Sequence, residues 1–513
     1  MNGRQRFLLA LVLATLTGYI SLSYEILWVR LYSFVSGSRA WAFGALLGSY
    51  LVGLALGSLW SLRFQGSGKG QEEIRALSGF VGLANGLGFL VVPLVSWLVV
   101  WIPYGWTFPV VVLAASLLGA ALPLICHFAI PPDEKAGARL SYLYLGNILG
   151  SGAGSLITGF VLMDNFSLGA ISVFLACLGF LLVLGLDFFS GKRGRLLLIR
   201  AGGLVVGIIV VMISGSFLFK GLYERLQLKK DYCWGTEFEM VVESRFGVIT
   251  IDEDQKIYGG GMYDGTLSVD LYPGSWMIRP YFLGAVHESP KKVLEIGLSG
   301  GTWAKILANH PGVEELTVVE INGAYRERVI PQVEATRSIL KNPKITIVTD
   351  DGRRWLRRHR DRKFDAIILN STYHFREHAT NLLSREFMQL VRDHLEPGGI
   401  FLFNATGSSR VAKTAAEVFP HAILLLNNVL VSNAPLDFDK DRWRRILKDY
   451  HYEDGPLFRE DEQGEIEEIV SMLDHIGDRE ADGSRRILTR AQIIEDGEGL
   501  EVVTDDNLGH EFN

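Results

Sequence analysis

A chain of 513 residues is too long for one ordinary domain and predicts two or three. It is 49% hydrophobic with a mean hydropathy of +0.23, high for a soluble enzyme, and the apolar residues crowd into its first part. A formal net charge of −6 gives no support for nucleic-acid binding, and three cysteines build neither a disulfide framework nor a zinc spacing.

Residues 7 to 28, 41 to 62, 77 to 101, 107 to 130, 140 to 162, 166 to 188 and 201 to 219 are apolar runs of the length that crosses a bilayer, which predicts seven helices. The first run continues through SLSYEILWVR without a small-residue cleavage site, so it reads as an anchor and not as a signal peptide. Gly53 and Gly57, then Gly146, Gly150 and Gly154, recur at the small-xxx-small spacing that lets helices approach closely in lipid. Glu25, His127 and Asn147 are polar residues inside these runs, read either as a polar site or ion path in the bundle, or as Glu25 near a membrane surface with Arg30 and His127 and Asn147 in interhelical hydrogen bonds.

Arg4, Arg6, Arg63, Lys69, Arg75, Lys135, Arg139, Lys192, Arg193 and Arg195 occupy every second connection, which argues for a cytoplasmic N-terminus. Seven crossings then put everything after Lys220 outside. Lys220, Arg225, Lys229 and Lys230 favour the inside for the same segment, and a miscounted or re-entrant helix would reconcile the two.

After about residue 230 the pattern changes to short strands. Val248 to Ile251 and Lys256 to Gly259 predict a hairpin, and Asp264-Gly265 in MYDGTLSVD predicts another turn. Beyond it KVLEIGLSGGTWAKILANHPGVEELTVVE reads as strand, glycine turn, helix and strand. Gly297, Gly300 and Gly301 lie where backbone must turn and approach a ligand, and Glu320 ends the second strand, where a carboxylate can hold the hydroxyls of a ribose. Strands at 293 to 296, 316 to 319, 345 to 348, 365 to 369, 398 to 403 and 421 to 425 alternate with helices and predict a doubly wound, largely parallel sheet. Glu396-Pro397-Gly398-Gly399 is predicted as the turn before the fifth strand. From Glu453 onward 19 acidic residues oppose five arginines, which predicts a solvated acidic segment. Within it Ile466, Ile469, Val470 and Leu473 keep helical spacing, and GLEVVTDDN suggests a final strand and turn.

The blocks VLEIGLSGG, VVEIN, TDDGRRWL, KFDAIILNSTYHF and LLSREFMQLVRDHLEPGGIF resemble the spermidine synthase family within the class I methyltransferase fold, over about Tyr258 to Phe403. GYISLSYEILWVRLYSFVSGS and LSYLYLGNILGSGAGSLITGFVL resemble the membrane half of bacterial proteins that carry such a domain behind several helices. The resemblance implies a multi-pass helical bundle over 1–220, a linker and small β region over 221–290, a Rossmann-like α/β domain over 291–440 and an acidic segment over 441–513. It also implies S-adenosylmethionine or its decarboxylated form as co-substrate, held by Gly297, Gly300, Gly301, Glu320, Asp350 and Asp351.

The family's fourth strand ends in an Asp-Ser-Ser-Asp type segment that orients and deprotonates putrescine. Here Asn370, Ser371, Thr372 and Tyr373 stand in its place, and a Tyr-His-Glu segment expected earlier reads Tyr272, Pro273, Gly274. Chemistry therefore falls to NSTYHFREHATN, with His374 or His378 as base beside Asn370 and Tyr373, and Arg376 to position an anionic acceptor. Asp264, Asp505 and Asp506 are further candidates for substrate binding, and no metal signature is complete. The chain so read is a membrane-integrated transferase, aminopropylating or methylating an amine or a lipid-linked acceptor and able to form a homodimer. The other class is a domain without catalysis that serves transport, scaffolding or sensing. The cytosolic cofactor pool places the C-terminal domain in the cytoplasm.

Overall fold

The computed structural model describes residues 3–64, 70–189, 195–370, 373–376, 379–478 and 487–507. The chain forms two compact units, Met1–Val248 and Ile249–Asn513. The region read as a separate linker thus divides at Val248, and the acidic segment folds within the second unit.

In the first unit seven helices are long and apolar enough to cross a bilayer: α1 (Gly3–Ser36), α2 (Ala40–Phe64), α3 (Ile74–Leu98), α4 (Tyr104–Ala129), α5 (Ala136–Asn165), α6 (Leu168–Phe188) and α7 (Ile199–Leu218). Each coincides with an expected run. Their small residues sit where backbones meet. A methyl group on Gly150 would lie 1.9 Å from the Thr15 carbonyl oxygen of α1, and one on Gly57 would lie 1.8 Å from that of Ser116 on α4. No larger side chain fits without parting the helices. Asn147 donates from Nδ2 to the Ala14 carbonyl at 3.1 Å, which makes this intramembrane polar residue an interhelical tie. Leu149, Phe160 and Phe217 are exposed apolar side chains on these helices.

The second unit begins with three antiparallel strands, β1 (Gly247–Ile251), β2 (Lys256–Gly259) and β3 (Met262–Thr266). The predicted first hairpin is present, with Ile249 opposite Gly259. The second turn is not at Asp264-Gly265: Gly259 pairs Met262, so Gly260 and Gly261 form the loop, with φ of +58° and +78°. Two left-handed residues in succession suit a two-residue hairpin loop, and glycine adopts them without strain. Asp264 lies inside the strand. Tyr263 faces Tyr258 while Gly265 faces Ile257, which leaves Asp264 as the extra residue of a β-bulge.

An eight-stranded sheet follows, built from β4 (Lys292–Ile296), β5 (Glu315–Glu320), β6 (Ile345–Thr349), β7 (Phe364–Leu369), β8 (Leu395–Asn404), β9 (His421–Leu425), β10 (Asn428–Ser432) and β11 (Ile487–Thr489). Its order is β11-β9-β10-β8-β7-β4-β5-β6. The strands β4 to β8 run parallel, while β9, β10 and β11 pair antiparallel. The Glu396 to Gly399 segment lies within β8 as a register shift, not as a turn before it. Leu294 and Ile296 point into a core with Trp355, Phe387, Phe401 and Phe403. The predicted helix with buried Ile466, Ile469 and Val470 spans Gln463–Ser471. Residues 501–504 form no strand; Val503 instead bonds to Thr414 and Arg385.

Candidate active site

Parallel strands bring their carboxyl ends to one edge, and in a doubly wound sheet ligands bind outside that edge. Here Gly297 follows β4, Glu320 ends β5, Asp350 follows β6 and Asn370 follows β7, so four segments singled out in the sequence share one edge. Gly297 has φ +94°, and a methyl group there would lie 2.5 Å from the Asn370 carbonyl oxygen. Gly301 has φ +81° and opens the helix α8 (Thr302–Asn309). The turn is laced to the bulged strand: Ser299 Oγ donates to the Asp264 carbonyl at 3.1 Å, and Thr302 Oγ1 to that of Thr266 at 2.8 Å.

Glu320 closes the turn from the other side. Its Oε2 accepts the Leu298 N–H and its Oε1 the Asn322 N–H, both at 2.7 Å. Burial pushes this carboxyl up to about 7, against the opposing effect of these backbone donors. The Ser299 N–H is a third backbone donor acting on this carboxyl.

Glu295, two residues before Gly297 on β4, was not singled out in the sequence. It is 0% exposed and neither carboxyl oxygen has a hydrogen-bond partner. Burial holds it well above the usual carboxylate range, the nearby Asn370 side chain opposes that shift, and Glu320 adds to it. Its signal was legible as one acid within the apolar run VLEI.

Asp264, released from the ladder by its bulge, accepts the Tyr325 O–H on Oδ2 at 2.8 Å and lies 3.5 Å from Arg376 through Oδ1. Arg376 also donates to the Gly259 carbonyl at 3.0 Å. Tyr325 is buried and its phenol is held well above its ordinary value by that burial and by Asp264, so it remains a donor. Asp264, Arg376, Tyr373 and the glycine turn thus form one cluster. Tyr373 is a left-handed residue at φ +40°, and burial beside Asp264 raises its phenol.

His374 is fixed to the loop after β8. Its backbone N–H donates to Thr406 Oγ1 at 2.9 Å and its Nδ1 lies 3.2 Å from the same oxygen. His378, Ser371 and Thr372 lie outside the described residues. Asp351 caps α9 (Gly352–Arg358), its Oδ1 accepting the Arg354 N–H at 2.6 Å. Asp350 is paired with Arg354 and Arg358 and accepts the Asp351 N–H at 2.8 Å; burial pushes its carboxyl up, but these partners hold it lower.

Asp505, expected as a substrate contact, is engaged by two side chains. It accepts from Arg353 Nη1 at 2.8 Å and from Ser384 Oγ at 2.6 Å, and these bonds hold its carboxyl below the usual range. They tie the C-terminal segment to α9 and to α10 (Arg385–Arg392). Asp506 is exposed.

Residues 281–417 match the spermine/spermidine synthase domain. The chain is 27% identical over 324 residues to the polyamine aminopropyltransferase of Mycobacterium tuberculosis, covering 59% of each chain. It is 24% identical to that of Corynebacterium efficiens over 80% of this chain and 79% of the relative. To that of Thermotoga petrophila it is 31% identical over 28% of this chain and 49% of the relative. Among solved structures, a spermidine synthase in complex with the transition state analogue AdoDATO aligns at 22% identity and TM-score 0.37, over 45% of this chain and 90% of that one. The chain spans about three fifths of the length of the first of these relatives. The residues that match the spermine/spermidine synthase domain follow the seven apolar helices of the described residues in the sequence.

Proposed function

We propose that this chain, with its spermidine synthase domain, is a membrane-integrated transferase that alkylates an amine using S-adenosylmethionine or its decarboxylated form. One observation carries the reading: Glu320 is bound by both oxygens to the glycine turn and the β5 end, a carboxylate set where a nucleoside's hydroxyls would meet it. The residues fit such a ligand. Gly297, Gly300 and Gly301 leave no room for a side chain, and a methyl group at Gly300 would lie 2.3 Å from Leu267.

The sulfonium supplies an activated carbon. The chain must then hold the acceptor amine in line, so that a C–N bond forms as the C–S bond breaks and its electron pair returns to sulfur. The amine's proton must leave to a base. His374, fixed on Thr406 beside Tyr373, is our candidate, with Asn370 and Tyr373 lining the approach and Asp264 and Arg376 orienting the acceptor. Tyr325 holds its proton and serves as a donor to Asp264.

This reading requires the second unit to face the cytoplasm, where adenosyl sulfoniums are made. With seven spans the N-terminus would then lie outside. The ten cations named above, from Arg4 to Arg195, would face out, against six facing in: Arg30, Arg39, Lys220, Arg225, Lys229 and Lys230.

The test is calorimetry of the purified full chain with S-adenosylmethionine and with its decarboxylated form. Binding of either supports the reading. Binding of neither favours a domain without catalysis, which the engagement of Asp264 by Arg376 and Tyr325 would suit.

A further inference from the structure

We propose that Arg279 determines acceptor specificity by binding an oxyanion, carboxylate or phosphate, carried on the same molecule as the amine that is alkylated. This rests on the transferase reading above and names the class of its acceptor.

Arg279 lies just past the loop that replaces the family's polyamine-binding segment. Its Nε is buried without a hydrogen-bond partner. Its guanidinium lies over the Trp276 ring, 4.8 Å from the centroid, and the titratable groups that act on it are the phenols of Tyr263 and Tyr373. Among the described residues no carboxylate pairs with it. Its burial lowers it to about 10, so it remains a cation at neutral pH.

A half-buried cation whose Nε is withdrawn from water without a counter-charge is held at a cost, which is recovered when an anion arrives. The guanidinium fork suits a planar carboxylate or two phosphate oxygens. Asp264, the acid near Tyr373, is engaged by Arg376 and Tyr325. Asp264, Arg376 and Arg279 all act on the Tyr373 phenol. An acceptor held here meets a guanidinium at one end and the glycine turn with Asp264 at the other. A diamine would place one of its two cations against Arg279. Trp276, 57% exposed, and Tyr263, 39% exposed, give an aromatic rim that fits the apolar spacer between amine and oxyanion.

The experiment is calorimetry of the full chain in dodecylmaltoside with γ-aminobutyrate, O-phosphoethanolamine and putrescine, and with phosphatidylethanolamine mixed micelles, each in the presence of the adenosyl product thioether. The expected result is binding of at least one oxyanion-bearing amine about tenfold or more tighter than putrescine. Arg279→Met should lose that preference, Arg279→Lys should keep part of it, and Arg279→Glu should shift it toward putrescine. Binding of O-phosphoethanolamine would assign a soluble acceptor, and binding only in micelles a lipid headgroup. Equal affinity of wild type and Arg279→Met for every oxyanion amine, with unchanged melting temperatures, overturns the proposal. So does a wild-type preference for putrescine. Absence of adenosyl ligand binding in the same instrument would instead overturn the transferase reading, while oxyanion binding lost in Arg279→Met would still stand.

Discussion

Replacing Glu320 by glutamine separates its two tasks. A carboxyl raised from 4.5 to about 7 by folding stabilises the native state below pH 4.5 and loses that stability as the pH rises through 7, because the native state binds the proton more tightly. The loss amounts to about 3 kcal/mol. Glutamine does not titrate, but its amide N–H₂ must face either the Leu298 or the Asn322 N–H, leaving one buried donor unpaired at about 1–3 kcal/mol. The variant should therefore be less stable than wild type at pH 5 and close to it at pH 8. In a unit of this size about 2–4 °C accompanies each kcal/mol, so the gap in melting temperature should change by roughly 6–12 °C between those pH values. Differential scanning fluorimetry of the detergent-solubilised chain reads it. Parallel pH profiles for the two proteins would refute the argument, since Glu320 would then not titrate in that window. Glu320→Ala, by contrast, removes both acceptors and should destabilise the turn, so loss of ligand binding in that variant alone would say little about ribose.

His374→Ala should lower turnover by about 100-fold with adenosyl affinity little changed, measured by mass spectrometry of products and by calorimetry; unchanged turnover would remove His374 as the base. Asp505→Asn should lower the melting temperature at pH 7, because it weakens the bonds to Arg353 and Ser384, with no change in adenosyl affinity. Because folding depresses the pKa of Asp505, its contribution is present above the unfolded carboxylate pKa and fades as the pH falls through the folded one, so the difference from wild type should shrink in acid. A fluorescent reporter fused after Asn513 should be active in the cytoplasm. Activity only of an exported phosphatase at that position would place the unit outside and make an adenosyl ligand untenable.

What the sequence made legible follows from which forces act locally. A span in lipid must satisfy every backbone group within its own helix and expose apolar side chains, so seven runs could be read directly. Parallel strands buried on both faces appear as short apolar runs such as VLEI and AIIL, and these too were readable. The antiparallel strands β9 to β11 differ. NVLVS is as apolar as the others, but its antiparallel place between β8 and β9 depends on a tight turn at Leu426 and Asn427, where Leu426 takes φ +56° against its preference. Local propensity carries no sign of that.

The hairpin error has consequences for the site. Asp264-Gly265 carries the residue types of a turn, and so does Gly260-Gly261 four residues earlier; only pairing across the ladder decides between them. With the glycines taking the turn, Asp264 becomes the bulged residue and its carboxylate is turned toward Tyr325 and Arg376. Had Asp264 formed the turn, it would cap its own backbone and the cluster around Tyr373 would lack its acid. Arg279 was overlooked for a related reason, since one cation in MIRPYF looks like surface charge until the burial of its Nε is seen. The acids and cations proposed to decide the acceptor are thus set by tertiary contacts, while the proposed nucleoside end rests on a local strand, turn and helix unit. A scaffold built this way can keep its cofactor geometry while the acceptor end changes by single substitutions, and exchange of charge at Arg279 tests that separation directly.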